Sequence, residues 1–262
     1  MSDDDKHRAR IFLHRGDLAQ ARLCYERALV DDRQSEDRQG LSDTLGNLGN
    51  VCAMMGDRET AIRCYRDVLA LQRGQPHSAA IGQTLINLGN VHADSGRPEQ
   101  ARAYYLEALD MLRPLDDHRA LGVLYSNLAL QDTTAGRFDE AVVNFTNALE
   151  QHRLVGDEES LAVTYSQLGK AFLSVGRSLQ AERCLNNACE HFVKLGNRTG
   201  EAAALRLLAD LYEQRGDIQS AIRCLEPVVR VGRRYDPTRS AEDMDRLAQL
   251  QSRWRAHAHQ TV

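Results

Sequence analysis

Asparagine side chains recur in this sequence at an interval of forty residues, and their chemistry suits the recognition of another chain. One series consists of Asn47, Asn87 and Asn127, and a second consists of Asn50 and Asn90. A carboxamide both donates and accepts hydrogen bonds, so a row of carboxamides can satisfy the N–H and C=O groups of an extended peptide. The same side chains could instead bridge neighbouring helices and serve only the packing of the protein.

The two series change chemistry towards the C-terminus. Gln167 continues the first series, Lys170 continues the second, and Arg206 follows near Asp210 and Glu213. The two cations could select an acidic side chain of a partner, or they could form ion pairs with these carboxylates. The candidate peptide-binding residues are therefore Asn47, Asn50, Asn87, Asn90, Asn127, Gln167, Lys170 and Arg206.

Residues that could support catalysis or hold a metal lack the necessary spacing. The sequence has no P-loop, GxSxG, HExxH or CxxC motif. Polar His92 and Asp132 are expected to make satisfied hydrogen bonds inside the protein. Four cysteines recur at one repeat position and are expected to be packing residues: Cys24, Cys64, Cys184 and Cys224. We predict a protein that is not an enzyme, with no cofactor and no metal site.

The stretch from Thr44 to Leu71 shows which elements position the candidate residues. Apolar and small residues follow helical spacing in each half of the stretch, and Gly56-Asp57 separates the halves. Glycine favours the end of one helix, and an acidic residue favours the first turn of the next. The stretch is therefore predicted to be a helical hairpin.

This hairpin recurs every forty residues. A large side chain opposite a small one lets neighbouring helices interlock, so each hairpin can bury its apolar face on the next. The turn glycines are Gly16, Gly56, Gly96, Gly136, Gly176 and Gly216. The small residues five places later are Ala21, Ala61, Ala101, Ala141, Ala181 and Ala221. The large residues that follow are Tyr25, Tyr65, Tyr105, Phe145, Leu185 and Leu225.

The pattern resembles the tetratricopeptide repeat family over roughly residues 9–231. The match rests on Leu45, Leu48-Gly49 and Cys52 followed by Ala61 and Tyr65, and on Leu85, Leu88-Gly89 and His92 followed by Ala101 and Tyr105. The interval of forty exceeds the usual thirty-four, and arginine replaces the usual proline near the end of the unit. Asn-Leu-Gly-Asn at 47–50 and 87–90 is similar to the longer repeats of Pins-type adaptors and kinesin light chain.

The resemblance implies an all-α fold, a right-handed α-solenoid of about six hairpins plus a C-terminal capping helix. It also implies that the candidate residues face a concave groove that binds an extended or helical peptide of another protein. Family members that grip a free C-terminal carboxylate use basic residues where this chain has Gly46, Ile86 and Gln83, so that function is not expected. The alternatives are a peptide- or ligand-sensing regulatory protein and a scaffold that self-associates through its terminal units.

Residues 1–236 are predicted to form the repeats, and residues 237–262 the capping helix and a flexible tail. The first unit is expected to be incomplete, with a short or frayed first helix because Asp5 and Arg8 stand where later units have leucine. Its second helix is predicted from about Asp17 to Val30, followed by a linker at 31–37. A kink is predicted at Pro227. The capping helix is expected to use Met244, Leu247, Leu250 and Trp254.

Composition narrows the class of partner. The 262 residues carry a net charge of −4, which gives no general attraction to nucleic acid. No apolar run is long enough to span a bilayer, and the first ten residues lack a hydrophobic export segment. We therefore expect a cytoplasmic protein whose partner is another protein rather than nucleic acid or a membrane.

Overall fold

Helices account for all regular structure in the part of the chain that the structure describes. A computed structural model describes residues 2–35, 37–72, 78–235 and 237–260. Its helices are α1 Ser2–His14, α2 Leu18–Gln34, α3 Arg38–Met54, α4 Arg58–Leu71, α5 Ala79–Asp94, α6 Pro98–Leu112, α7 His118–Thr134, α8 Phe138–Leu154, α9 Glu158–Ser174, α10 Ser178–Lys194, α11 Arg198–Gln214, α12 Ile218–Tyr235 and α13 Pro237–Gln260. A 3₁₀ turn at Arg113–Leu115 follows α6. The segment Gly74-Gln75-Pro76, whose composition favours a loop, lies outside the described residues.

Short glycine turns join pairs of helices into hairpins. Between α3 and α4, Gly56 has a φ of 81°, and the N–H of Asp57 donates to the carbonyl of Cys52 over 2.9 Å. This left-handed turn satisfies a carbonyl at the end of α3. The Asp57 carboxylate then accepts the N–H of Thr60 over 3.2 Å and caps α4. Positive φ at the other turn glycines confirms the predicted positions of the turns: Gly16, Gly96, Gly136, Gly176 and Gly216.

Each hairpin buries a large side chain next to a small residue. In the second hairpin Ala61 and Tyr65 are buried, and the Tyr65 ring lies directly against Gly49. A Cβ atom on Gly49 would lie 2.7 Å from Cε1 of Tyr65, so the ring contacts α3 this closely only because residue 49 has no side chain. All the repeated alanines and the large residues that follow them are buried, as predicted.

Contacts divide the chain into two compact units, residues 1–131 and 132–262. In the first unit each helix from α1 to α6 packs on the next, and α3 also contacts α5. In the second unit each helix from α8 to α13 packs on the next, and α9 also contacts α11. The first helices of successive hairpins therefore lie side by side within each unit. The predicted boundary between repeats and cap at 236/237 stays a prediction.

The N-terminal hairpin is longer than predicted. Helix α2 continues past Val30 to Gln34, because Asp32 is buried and accepts hydrogen bonds from Ser2 over 2.5 Å and from Thr44 over 2.6 Å. The Lys6 ammonium group lies 3.0 Å from the same carboxylate. Burial alone would raise the pKa of Asp32, but these three donors lower it. The contacts of Ser2 and Lys6 with Asp32 hold α1 against α2, and α1 is a continuous helix of 13 residues rather than a short or frayed segment.

The C-terminal end also departs from the expected pattern. Helix α12 continues through Pro227, so the proline does not end the helix, and the kink stays a prediction. Helix α13 packs on α12 and reaches Gln260, within the segment expected to be a flexible tail. Leu250 is buried in its contact with the preceding hairpin, and Leu247 is partly buried, as expected for a cap. Trp254, one turn further, is 42% exposed.

Candidate functional site

Asn50 and Asn87 connect the first helices of two neighbouring hairpins. Nδ2 of Asn87 on α5 donates a hydrogen bond of 3.0 Å to Oδ1 of Asn50 on α3. The same Oδ1 atom accepts a bond of 2.7 Å from the Tyr65 hydroxyl of α4. Gln83, one turn before Asn87, donates to Oδ1 of Asn87 over 3.1 Å. These four side chains form one polar network across α3, α4 and α5.

The next repeat has the same arrangement. Nδ2 of Asn127 on α7 donates to Oδ1 of Asn90 on α5 over 3.0 Å, and the Tyr105 hydroxyl of α6 donates to the same atom over 2.7 Å. Burial raises the pKa of both Tyr65 and Tyr105 well above the ordinary value, so each hydroxyl keeps its proton and can donate. The sequence had indicated these tyrosines only as packing residues. Their role in orienting the asparagines was missed.

An open groove of about 390 Å³ lies over the first of these networks. Its walls come from α3, α4 and α5, and they include Asn47, Asn50, Gln83 and Asn87. Asn47 is exposed and makes no hydrogen bond with another described residue. Asp43 is the one charged residue among the described residues that line the groove. The asparagine contacts seen here are bridges between helices, and contact with a peptide stays a prediction.

Gln167, Lys170 and Arg206 line a second groove, of about 520 Å³, in the second unit. Its walls come from α9, α11 and the capping helix α13. Arg206 is held by an ion pair with Asp243 of α13, in which Nη2 lies 2.7 Å from Oδ2 and Nε lies 3.1 Å from both oxygens. Both side chains of this pair are largely buried.

The expected partners of Arg206 pair elsewhere. Asp210 lies 2.6 Å from Nη2 of Arg246 on α13, and Glu213 accepts a hydrogen bond of 2.7 Å from Nε of the same arginine. Sequence reasoning missed Asp243 and Arg246. The signal was available, because Arg246 lies forty residues after Arg206 and continues the repeat interval into α13.

The hydrogen bond predicted for His92 is absent, so that prediction is wrong. The ring is 3% exposed, and neither ring nitrogen makes a hydrogen bond of normal geometry with a described residue, although the Gln100 side chain lies close enough to favour the charged ring weakly. It stacks on Tyr104 with 5.1 Å between ring centroids. Burial lowers the pKa of His92, and the nearby Arg97 lowers it further, so the neutral ring is favoured.

Asp132 satisfies its hydrogen bonds inside the second unit, as predicted. Its carboxylate is fully buried and accepts bonds from Arg137 over 2.9 Å and from Asn144 over 2.8 Å. The group stabilises the packing of its neighbours and is not placed for acid–base chemistry on a ligand.

The four repeated cysteines are buried and not in disulfides. Burial raises the pKa of Cys64, Cys184 and Cys224 to about 11 in each case, which keeps these thiols protonated and poorly nucleophilic. No group of three or more histidine, cysteine or acidic side chains suited to a metal occurs in the described part of the chain. In the same part, every helix is too short or too polar to cross a bilayer.

Glycine-turned hairpins that expose polar side chains of their first helices define an α-helical repeat protein. The chain belongs to the tetratricopeptide repeat family, whose model matches residues 5–74, 41–113, 80–153, 121–194 and 160–234. This confirms the family resemblance and the all-α solenoid fold. Repeats of this family generally mediate interactions between proteins, and their proteins are generally non-catalytic scaffolds. A comparison with functionally curated proteins gave no significant match.

Solved structures with the same fold come from several kinds of protein. BtubC from P. vanneervenii matches with a TM-score of 0.70 and 18% identity, covering 91% of this chain and 92% of that one. A signal transduction ATPase with a tetratricopeptide repeat sensor from Pyrococcus horikoshii matches with a TM-score of 0.83 and 15% identity, covering 94% and 38%. A putative kinesin light chain from Podospora anserina matches with a TM-score of 0.63 and 14% identity, covering 74% and 95%. At these identities the likeness is one of fold.

Proposed function

We propose that this chain is a non-catalytic interaction module that binds an extended or helical peptide segment of a partner protein through the grooves formed by its first helices. The observation that carries the proposal is the amide network of the first unit, which lies at the surface of an open groove of about 390 Å³. Carboxamides held in place by the protein are suited to bind peptide backbone groups, because little side-chain freedom is lost on binding.

The hydrogen bonds within the network also determine which amide atoms remain for a ligand. Oδ1 of Asn50 already accepts two bonds, from Tyr65 and Asn87, whereas its Nδ2 group donates no bond to a described residue. Asn47 keeps both its donor and its acceptor. The groove therefore offers several unused donors, which suits the carbonyl groups of a peptide.

The charge of this groove favours binding of an internal segment of the partner chain over binding of the partner's free C-terminus. Among the described residues that line this groove there is no lysine or arginine, and Asp43 is the one that carries a charge. Binding a terminal carboxylate would leave its charge without a cation and close to Asp43. We propose that the partner presents a segment from within its chain.

Affinity capture from the native cell extract, followed by calorimetry with the purified partner, tests the proposal. Asn47→Ala removes an exposed amide that has no role in the fold, so binding should weaken by about 0.5–1.5 kcal/mol, or roughly threefold to tenfold. Asn87→Ala should weaken binding as well and also lose a helix-bridging bond. The matched control is Asn186→Ala, an exposed residue of α10 outside both grooves.

The outcome that contradicts the proposal is unchanged binding by a well-folded variant that lacks both Asn47 and Asn87 amides. Circular dichroism establishes that the variant is folded. Loss of binding in the Asn186→Ala control would instead show that the assay reports stability rather than groove contacts.

The groove of the second unit favours a second candidate function, a regulatory protein that senses a peptide or small ligand. Its volume of about 520 Å³ lies within the ordinary range for small-molecule sites. A sensor of this kind should change its small-angle scattering profile when the ligand is added, whereas a passive adaptor should not. Self-association through the terminal units, the absence of catalysis and a cytoplasmic location stay predictions.

A further inference from the structure

The groove of the second unit is lined by more charged residues than the groove over the amide network of the first unit, which we call the amide groove. Helix α9 contributes Ser166, Gln167 and Lys170, and α11 contributes Ala203, Arg206, Leu207 and Asp210. Helix α13 contributes the opposite wall, with Arg239, Glu242, Asp243 and Arg246. The floor between Ala203 and Leu207 is apolar, so a ligand there would be bound mainly through the charged walls.

Most of these charges are already balanced within the protein. Arg206 is paired with Asp243 in a largely buried bidentate contact, and Arg246 is paired with Asp210 and Glu213. Each contact joins α11 to α13 and fixes the side chains in one arrangement. A ligand would gain little from these groups, because it would first have to break their ion pairs.

Lys170 and Glu242, unlike the lining residues just described, are not held in ion pairs. Both are exposed lining residues, and neither forms an ion pair with any residue of the described chain. Lys170 lies on the α9 wall and Glu242 on the α13 wall, so the groove presents an ammonium group and a carboxylate that are outside any ion pair among the described residues. Arg239, one turn before Glu242, adds a further cation that has interactions within the protein. Gln167 and Ser166 next to Lys170 add uncharged hydrogen-bonding groups.

We propose that this groove binds a dipolar peptide segment, with an acidic side chain at Lys170 and a basic side chain at Glu242. The proposal rests on the proposed peptide-binding function and specifies the ligand of the second groove. A groove of about 520 Å³ accommodates two side chains and the residue between them. The fixed pairs Arg206–Asp243 and Arg246–Asp210 hold the two walls in place without competing for the ligand charges.

The test uses three capped tripeptides, acetyl-Glu-Ala-Arg-amide, acetyl-Arg-Ala-Glu-amide and the neutral acetyl-Gln-Ala-Gln-amide. Each is titrated into the 262-residue chain while the NMR signals of Ala203 and Leu207 are followed. One charged peptide should bind in the millimolar range, and the neutral peptide should bind more weakly. Because exposed ion pairs contribute little, Lys170→Met and Glu242→Gln should each weaken the preferred peptide by about twofold to fivefold.

A charge-swap variant gives the decisive result. Lys170→Glu combined with Glu242→Lys should reverse the preference between the two charged peptides. The proposal is overturned if all three peptides bind alike, if none binds at the highest soluble concentration, or if the swap leaves the preference unchanged. Partner binding that depends on Asn47 but not on Lys170 would contradict this inference while leaving the proposed function intact.

Discussion

Replacing Gly89 by alanine tests how closely each hairpin is packed. A Cβ atom at this position would lie 2.3 Å from Cε1 of Tyr105 and 2.5 Å from Cδ1, far inside van der Waals contact. The ring is 2% exposed, so it has no open space into which to move. Any movement would also break the hydrogen bond of 2.7 Å from its hydroxyl to Asn90.

Three effects determine the size of the change. Overpacking in a close-packed interior costs about 1–3 kcal/mol, and losing the tyrosine–asparagine bond costs about 1 kcal/mol more. The higher helix propensity of alanine offsets roughly 1 kcal/mol of this loss. We therefore expect Gly89→Ala to lower the free energy of unfolding by about 1–3 kcal/mol.

Urea unfolding followed by circular dichroism measures the change, and the chain supplies a matched control. Gly46→Ala adds the same methyl group where no atom beyond the adjacent backbone of its own helix lies within 4 Å of the new Cβ, so it should be neutral or slightly stabilising. Adding Tyr105→Leu to Gly89→Ala should recover part of the loss, since the sequence has Ala209 and Leu225 at the equivalent positions. Equal stability of the Gly89→Ala and Gly46→Ala variants would refute the packing argument.

Two further predictions concern buried polar groups. His92 has a lowered pKa, so the unfolded chain takes up its proton first and stability should fall below the ordinary histidine pKa of about 6.5. His92→Phe, which copies Phe172, should reduce that loss when thermal unfolding is compared at about pH 5 and pH 8, and an unchanged loss would exclude His92 as its source. Asp32→Leu removes the buried partner of Lys6, leaving only exposed Asp3 at 4.0 Å, and should cost about 2–4 kcal/mol, part of which Lys6→Met should restore in chemical denaturation. A double variant as unstable as Asp32→Leu would contradict this explanation.

The turns and helix packing were predictable because they depend on residues close together in the sequence. A glycine that ends a helix and an alanine that faces a large side chain recur at the same positions in every copy. The end of α2 was harder to predict. Asp32 looks like a linker residue in the sequence, but its bonds come from Ser2 and Lys6 on another helix and from Thr44 on the next.

The polar contacts of the two grooves follow a regular separation that the simple repeat interval does not show. Asn50 with Asn87, and Asn90 with Asn127, are each 37 residues apart. Arg206 and Asp243 have the same separation of 37. This is one repeat less one helical turn, the offset that joins facing positions on adjacent first helices. Comparing positions at this offset would have identified the partner of Arg206 and the bridging role of the asparagines.

The orientation of the asparagines in the amide network depends on how the two helices of each hairpin pack. Gly49, Asn50 and Tyr65 form one set in which the glycine admits the ring and the asparagine accepts its hydroxyl, and Gly89, Asn90 and Tyr105 form a second. In the next copy all three positions change together, to Ala129, Leu130 and Phe145. A ring without a hydroxyl needs no acceptor, and the position that held asparagine becomes apolar. The oriented asparagines therefore depend on the glycine–tyrosine packing, so Gly89→Ala should disturb the amide groove as well as the fold.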